Sequence, residues 1–212
     1  MSRFITRLLV SLFTIFMSVG AVSAASAADT DFVVVTAGDS ITQGVGASYT
    51  KSYPSVYAKQ TGNTTINVGH GGSCILTNIC GYGPRLLDTI EAEAFSQNPD
   101  LLVVAIGVND LCHRSTFDLK QAYRSIQQMA AARNVRVLFG TITPYGEKWP
   151  WQCEVQRVQI NEFLRRAMPV VDFAAALDNS KGQLRHRYDS GDGLHPNARG
   201  YRAMARTLRF AA

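Results

Sequence analysis

A chain of 212 residues with 46% hydrophobic and 17% charged residues is long enough to bury one substantial core. That balance excludes a disordered or low-complexity protein, and a net charge of +5 is too small a surplus to argue for nucleic acid as a partner. Four cysteines, an even number, permit two disulfides if the chain meets an oxidising compartment.

The N-terminus points to such a compartment. Arg3 and Arg7 precede an uncharged apolar stretch from Leu8 to Val22. Val22-Ser23-Ala24 and Ala25-Ser26-Ala27 then offer two small-residue cleavage sites. The apolar run is short for a bilayer span. Residues 1–28 are therefore expected to be a signal peptide and residues 29–212 the single domain, secreted or periplasmic, with no stable membrane anchor after cleavage. Removing residues 1–28 takes two arginines and no acids, leaving 19 basic against 16 acidic residues, a charge of +3.

Within the domain, strands and helices alternate. Val33-Val34-Val35-Thr36-Ala37 reads as a buried strand ended by Gly38, with Asp39-Ser40 immediately beyond it. Tyr53 to Gly62 reads as a helix, Thr65 to Val68 as a strand running into Gly69-His70-Gly71-Gly72, and Arg85 to Phe95 as a helix. Leu101 to Ile106 is the most apolar strand and ends in Gly107-Val108-Asn109-Asp110. A helix over Asp118 to Arg133, a strand over Val135 to Thr141, a helix over Glu154 to Met168 and a strand over Val170 to Ala175 follow. After Asp192-Gly193-Leu194-His195-Pro196, residues Asn197 to Phe210 form a last helix, with Arg199, Arg202, Arg206 and Arg209 on one solvated face. This order implies a three-layer α/β/α domain with about five parallel strands, flavodoxin-like in architecture.

The loops after the strands carry the chemistry. Serine is a weak nucleophile until a base takes its proton, and a histidine base needs an acceptor on its other ring nitrogen. Ser40, His195 and Asp192 supply those parts. Glycine backbone at residues 69–72 can approach a ligand closely, and Asn109 carries an amide donor suited to an oxyanion. Asp39 is read as supporting its own turn. The serine lies outside any G-x-S-x-G, so the nucleophile elbow of ordinary α/β-hydrolases does not apply.

Gly38-Asp39-Ser40-Ile41, the Gly-rich turn, Gly107-Val108-Asn109-Asp110 and Asp192-Gly193-Leu194-His195 together resemble the four marker blocks of the SGNH (GDSL-type) hydrolases. They span residues 38 to 195. The first block ends in Ile41 where many members have leucine, an apolar exchange without catalytic consequence. The resemblance implies Ser40 as nucleophile, His195 as general base and acid, and Asp192 as the group orienting it. It implies an oxyanion hole of the Ser40 N–H, the Gly72 N–H and the Asn109 side chain. Gly72 is chosen because Asn67 precedes it at the family's spacing, while Gly69 and Gly71 stay open.

His70, Trp149 and Trp151 are candidates for touching substrate. Cys74–Cys80 and Cys112–Cys153 are the favoured disulfides, the first because it closes a short loop. No spacing fits a metal site, and no P-loop or dinucleotide fingerprint is present, so no cofactor is expected. The expected protein is a monomeric exported serine esterase acting on a small-molecule or glycan ester, with a leaning to short acyl groups such as carbohydrate O-acetyl esters. A lysophospholipase or thioesterase of the same family, and a catalytically silent carbohydrate-binding protein, are the competing readings.

Overall fold

The computed structural model describes residues 32–76, 83–146 and 150–212. The expected signal peptide at residues 1–28, Cys80 and Trp149 lie outside the described residues. The described chain is an α/β domain with a five-stranded parallel sheet.

The strands are β1 (Val33–Gly38), β2 (Thr64–Gly69), β3 (Leu101–Ala105), β4 (Arg136–Gly140) and β5 (Val170–Val171), in the order β2-β1-β3-β4-β5. Leu101, Leu102, Val103 and Val104 of β3 are fully buried, as are Val34, Val35 and Ala37 of β1. Their near-continuous apolar runs are what a parallel strand covered on both faces requires. The helices are α1 (Ser40–Gln43), α2 (Tyr53–Thr61), α3 (Leu86–Glu93), α4 (Thr116–Ala131), α5 (Trp151–Ala167), α6 (Phe173–Leu177) and α7 (Ala198–Ala211). With right-handed crossovers this strand order puts α2 on one face of the sheet and α3, α4 and α5 on the other. α7 packs against α2, and α4 against α5.

The strand order reverses between β1 and β3, and in open α/β sheets such a switch point opens a crevice beyond the strands' carboxyl ends. The loops holding Ser40 and Asn109 leave the sheet there, with the glycine turn after β2 alongside. Close approach at this end depends on Gly38, where a Cβ would sit 2.1 Å from the Ala105 carbonyl oxygen.

The last strand is shorter than the sequence pattern predicts. Val170–Val171 is the whole of β5, and Phe173–Leu177 turns into α6. Asp172 causes the switch: its carboxylate accepts from the Ala175 N–H at 3.1 Å, capping a segment rich in alanine. α5 likewise starts at Trp151, three residues before the expected Glu154. The Cys112–Cys153 disulfide is formed, with the Cα atoms 5.1 Å apart. Cys74 is disulfide-bonded too, and its expected partner Cys80 lies outside the described residues.

Candidate active site

The end of β1 is shaped by Asp39. Its carboxylate accepts from the Ile41 N–H at 2.9 Å and so caps α1, whose first residue is Ser40. Thr42, two residues on, donates its hydroxyl to the Ala105 carbonyl at 3.1 Å and meets the Tyr53 hydroxyl at 3.2 Å, anchoring α1 to β3 and α2. Ser40 is 8% exposed. No acceptor for its backbone N–H is found among the described residues, as expected for the first turn of a helix. Burial, with the nearby Asp110 adding to it, pushes the Asp39 carboxyl up to about 7.

His195 reaches Ser40 from the other end of the chain. Its Nε2 lies 2.9 Å from Ser40 Oγ, and its Nδ1 lies 2.6 Å from Asp192 Oδ2. The other oxygen of Asp192 accepts from the Leu194 and His195 N–H groups at 2.9 and 2.8 Å. Partial burial would raise the Asp192 carboxyl, but these N–H groups and the imidazole outweigh it and hold it at about 2. An ionised Asp192 fixes the proton on Nδ1, which leaves Nε2 as an acceptor for the Ser40 hydroxyl. Gly46, at φ +89°, lets the loop after α1 lie against the histidine, since a Cβ there would sit 2.8 Å from His195 Cβ. Asn197 caps α7 by accepting from the Arg199 and Gly200 N–H groups, and its amide donates to the carbonyls of Arg187 and Asp189.

The loops after β2 and β3 interlock beside this chain. Asn109 donates its side-chain amide to the Ser73 carbonyl at 2.9 Å, which brings it next to Gly72. The Gly69 N–H is engaged by Asn67 Oδ1 at 3.0 Å, and Asn67 in turn donates to the Thr42 carbonyl at 2.8 Å. The N–H groups of Gly71 and Gly72 have no acceptor among the described residues. His70 is turned to α3, its Nε2 2.6 Å from Glu93 Oε2. Trp151 opens α5.

Two residues that the sequence did not single out hold this half together. Asp110, fully buried, accepts from the N–H groups of Ile75 at 2.8 Å and Leu76 at 3.3 Å. Gln156 of α5 accepts from the Cys112 N–H at 2.7 Å and donates to the Arg114 carbonyl at 2.5 Å. Between those two bonds runs the disulfide to Cys153, and Cys112 itself takes a left-handed φ of +65°. Asp110 had a signal, an acid directly after Asn109 at a strand end. Gln156 had none, being one polar residue on an amphipathic helix. Among the described residues no cluster of His, Cys, Asp and Glu has the shape of a metal site.

The sequence profile of the GDSL-like lipase/acylhydrolase family matches residues 36–203, which takes in all of these loops. The chain belongs to this family. It is a hydrolase of the GDSL type. A search of curated proteins returns no match. Among solved structures, a G-D-S-L family protein from Desulfitobacterium hafniense is similar at a TM-score of 0.73 and 17% identity, over 86% of this chain and 100% of the other. An acetyl xylan esterase is similar at a TM-score of 0.64 and 24% identity, over 85% and 99%. A carbohydrate acetylesterase family member from Sinorhizobium meliloti is similar at 0.61 and 18%, over 83% and 94%. At these identities the likeness is one of fold.

Proposed function

We propose that the protein is an exported serine esterase that removes short acyl groups, such as acetyl, from carbohydrate hydroxyls. The observation that carries the proposal is the unbroken hydrogen-bond chain from Ser40 through His195 to Asp192. His195 takes the Ser40 proton as the hydroxyl oxygen attacks the ester carbonyl, and Asp192 stabilises the imidazolium that forms. The resulting oxyanion is met by the N–H groups of Ser40 and Gly72 and by the Asn109 amide. His195 then gives its proton to the leaving alcohol. Water, activated by the same histidine, releases the acid and restores Ser40.

Support for a carbohydrate leaving group comes from the cleft beside Asp192. It encloses about 530 Å³ and is lined by Asn179, Gln183, His186 and Asp189, with Leu184 as its one large apolar residue. Hydroxyl-rich alcohols are matched by such donors and acceptors, and a long acyl chain is not. Two of the structural neighbours are described as acetyl esterases of carbohydrates. Residues 1–28 supply the export signal, and the Cys112–Cys153 bond is compatible with an oxidising destination.

Labelling with a fluorophosphonate probe tests the nucleophile: the wild-type protein is expected to label and Ser40→Ala not to. A p-nitrophenyl ester series tests the acyl preference, with acetate and butyrate turned over faster than octanoate and longer chains. A maximum at long chains replaces this reading with the lipid-directed one.

A further inference from the structure

We infer that the basic face formed by α2, α7 and the turn at residues 186–188 is a docking track for an anionic polysaccharide, and that the ester cleaved at Ser40 is carried on such a polymer. The inference deepens the proposed esterase reading and rests on it only for the identity of the bond cleaved.

Most arginines elsewhere in the fold have a partner: Arg124 donates to Gln121 and lies over the Phe163 ring, and Arg136 and Arg185 donate to the carbonyls of Ala212 and Asp178. Arg85, Arg133, Arg157, Arg165 and Arg166 each sit in an ion pair with Asp88, Glu91, Glu154, Asp172 and Glu162. The four arginines of α7, Arg199, Arg202, Arg206 and Arg209, are all exposed and take part in no ion pair among the described residues. No acid is near in sequence to pair with them. Neither residues 40–87 nor residues 193–212 contain an Asp or Glu. α2, which packs against α7, therefore adds only Lys59, and the short turn before it adds Lys51. Arg187 extends the face at the other end, stacked 4.8 Å from the Tyr188 ring centroid. Asp189, the acid nearest to it in sequence, is occupied by the Gly191 and Gly193 N–H groups. α7 and α2 thus present exposed arginines and a lysine with no acid of their own, and such a row attracts a polyanion, with Asp189 and Asp192 lying beyond its end in the cleft.

The placement ties that face to the site. Asn197, the cap of α7, lies two residues after His195 and donates to the carbonyls of Arg187 and Asp189. The arginine row begins at Arg199 and runs about 15 Å along the helix to Arg209, at the rise of an α-helix. A linear polymer seated on the row would pass His186 and Asp189 in the cleft and present an ester next to His195. An anionic lipid surface fits less well. Tyr201, Met204, Ala205 and Leu208 are fully buried, so α7 keeps no apolar face to insert, and Phe210 is the one exposed large apolar residue on it. Repeating carboxylates on a sugar chain need only the charges that are there.

The test separates docking from chemistry. Ser40→Ala protein, which cannot turn over ester, is titrated with polygalacturonate and with neutral xylan at low salt, and the wild type is assayed on p-nitrophenyl acetate alongside. Polygalacturonate is expected to bind and xylan to bind far more weakly, with the difference vanishing as salt rises. Arg202→Gln/Arg206→Gln in the Ser40→Ala background is expected to weaken polygalacturonate binding roughly tenfold, the effect of removing two exposed charges that each face a carboxylate. In the wild type, KM for acetylated polygalacturonate is expected to lie below that for acetylated xylan, and the double substitution to bring the two together. Equal binding of both polymers, or unchanged binding in the folded double variant, overturns the track. So does tighter binding to phosphatidylglycerol vesicles or to duplex DNA than to polygalacturonate. Failure on p-nitrophenyl acetate instead overturns the esterase reading and leaves the binding result standing.

Discussion

Ser40, His195 and Asp192 are held by short-range devices, whereas the loop of Asn109 is held by contacts that reach across three loops and a helix. On the first side, Asp39 caps the turn bearing Ser40 two residues away, and Asp192 grips both the backbone and the ring of a histidine three residues away. On the second side, Asn109 bonds to Ser73, Asp110 to Ile75 and Leu76, and Gln156 to Cys112 and Arg114, with a disulfide between them. A device within a few residues of sequence forms with its own turn. One spanning about forty residues exists only once β3, α4 and α5 have packed. The proton-transfer side should therefore fail at single residues, and the donor side should fail by loosening.

Substitutions can sharpen that contrast. The largest loss is expected for Ser40→Ala, with kcat/KM on p-nitrophenyl acetate falling by about 10⁶-fold and the circular dichroism spectrum unchanged. Asp192→Asn is expected to cost about 10⁴-fold, because an amide no longer enforces the tautomer with Nε2 free to accept. Asn109→Ala should lower kcat by about 10² to 10³, the usual cost of one oxyanion donor, and should leave fluorophosphonate labelling at Ser40 detectable though slower.

Gln156→Ala probes the loosening directly. Two hydrogen bonds on the Asn109 loop are removed, for a stability cost of about 1–3 kcal/mol by urea unfolding. kcat is expected to fall by less than in Asn109→Ala, with KM nearly constant. A loss as large as that of Asn109→Ala would mean that Gln156 acts in the chemistry itself and not through the loop.

The smallest effect on turnover is expected at Asp39, whose consequence is the pH dependence of stability. Asp39, with its carboxyl raised to about 7, favours the protonated form in the folded state. Its contribution is fully present below the ordinary value of 3.8 and is lost as pH rises through about 7, by at most about 4 kcal/mol. Asp39→Asn keeps an acceptor for the Ile41 N–H and cannot ionise. Its urea midpoint should therefore change less between pH 5 and pH 8.5 than that of the wild type.

The residues that could be read from the chain are those whose meaning is local. Alternating apolar runs and glycine-ended strands fixed the order of elements, because backbone period and turn chemistry are written residue by residue. The exception is Phe173 to Ala175, read as the end of the last strand, where an alanine-rich segment capped by Asp172 turns into helix. Ser40, Asn109, Asp192 and His195 could be named because each closes a strand or opens a turn in a marker block. Asp110, although its place after Asn109 marks it, and Gln156 could not be assigned their parts, since their partners lie 35 and 44 residues away.

The same division holds for the arginines of α7. Sequence by itself determined the strand and helix order, the four blocks and the spacing that puts Arg199, Arg202, Arg206 and Arg209 on one face. Only the tertiary structure decided that Ser40 and His195, 155 residues apart, lie 2.9 Å from each other. It also decided that α7 packs on the acid-free α2 and on α6, whose flanking Asp172 pairs with Arg165, so that the arginines of α7 take part in no ion pair among the described residues. Periodicity specifies which way a side chain faces. What it then meets depends on which elements the sheet's strand order brings together.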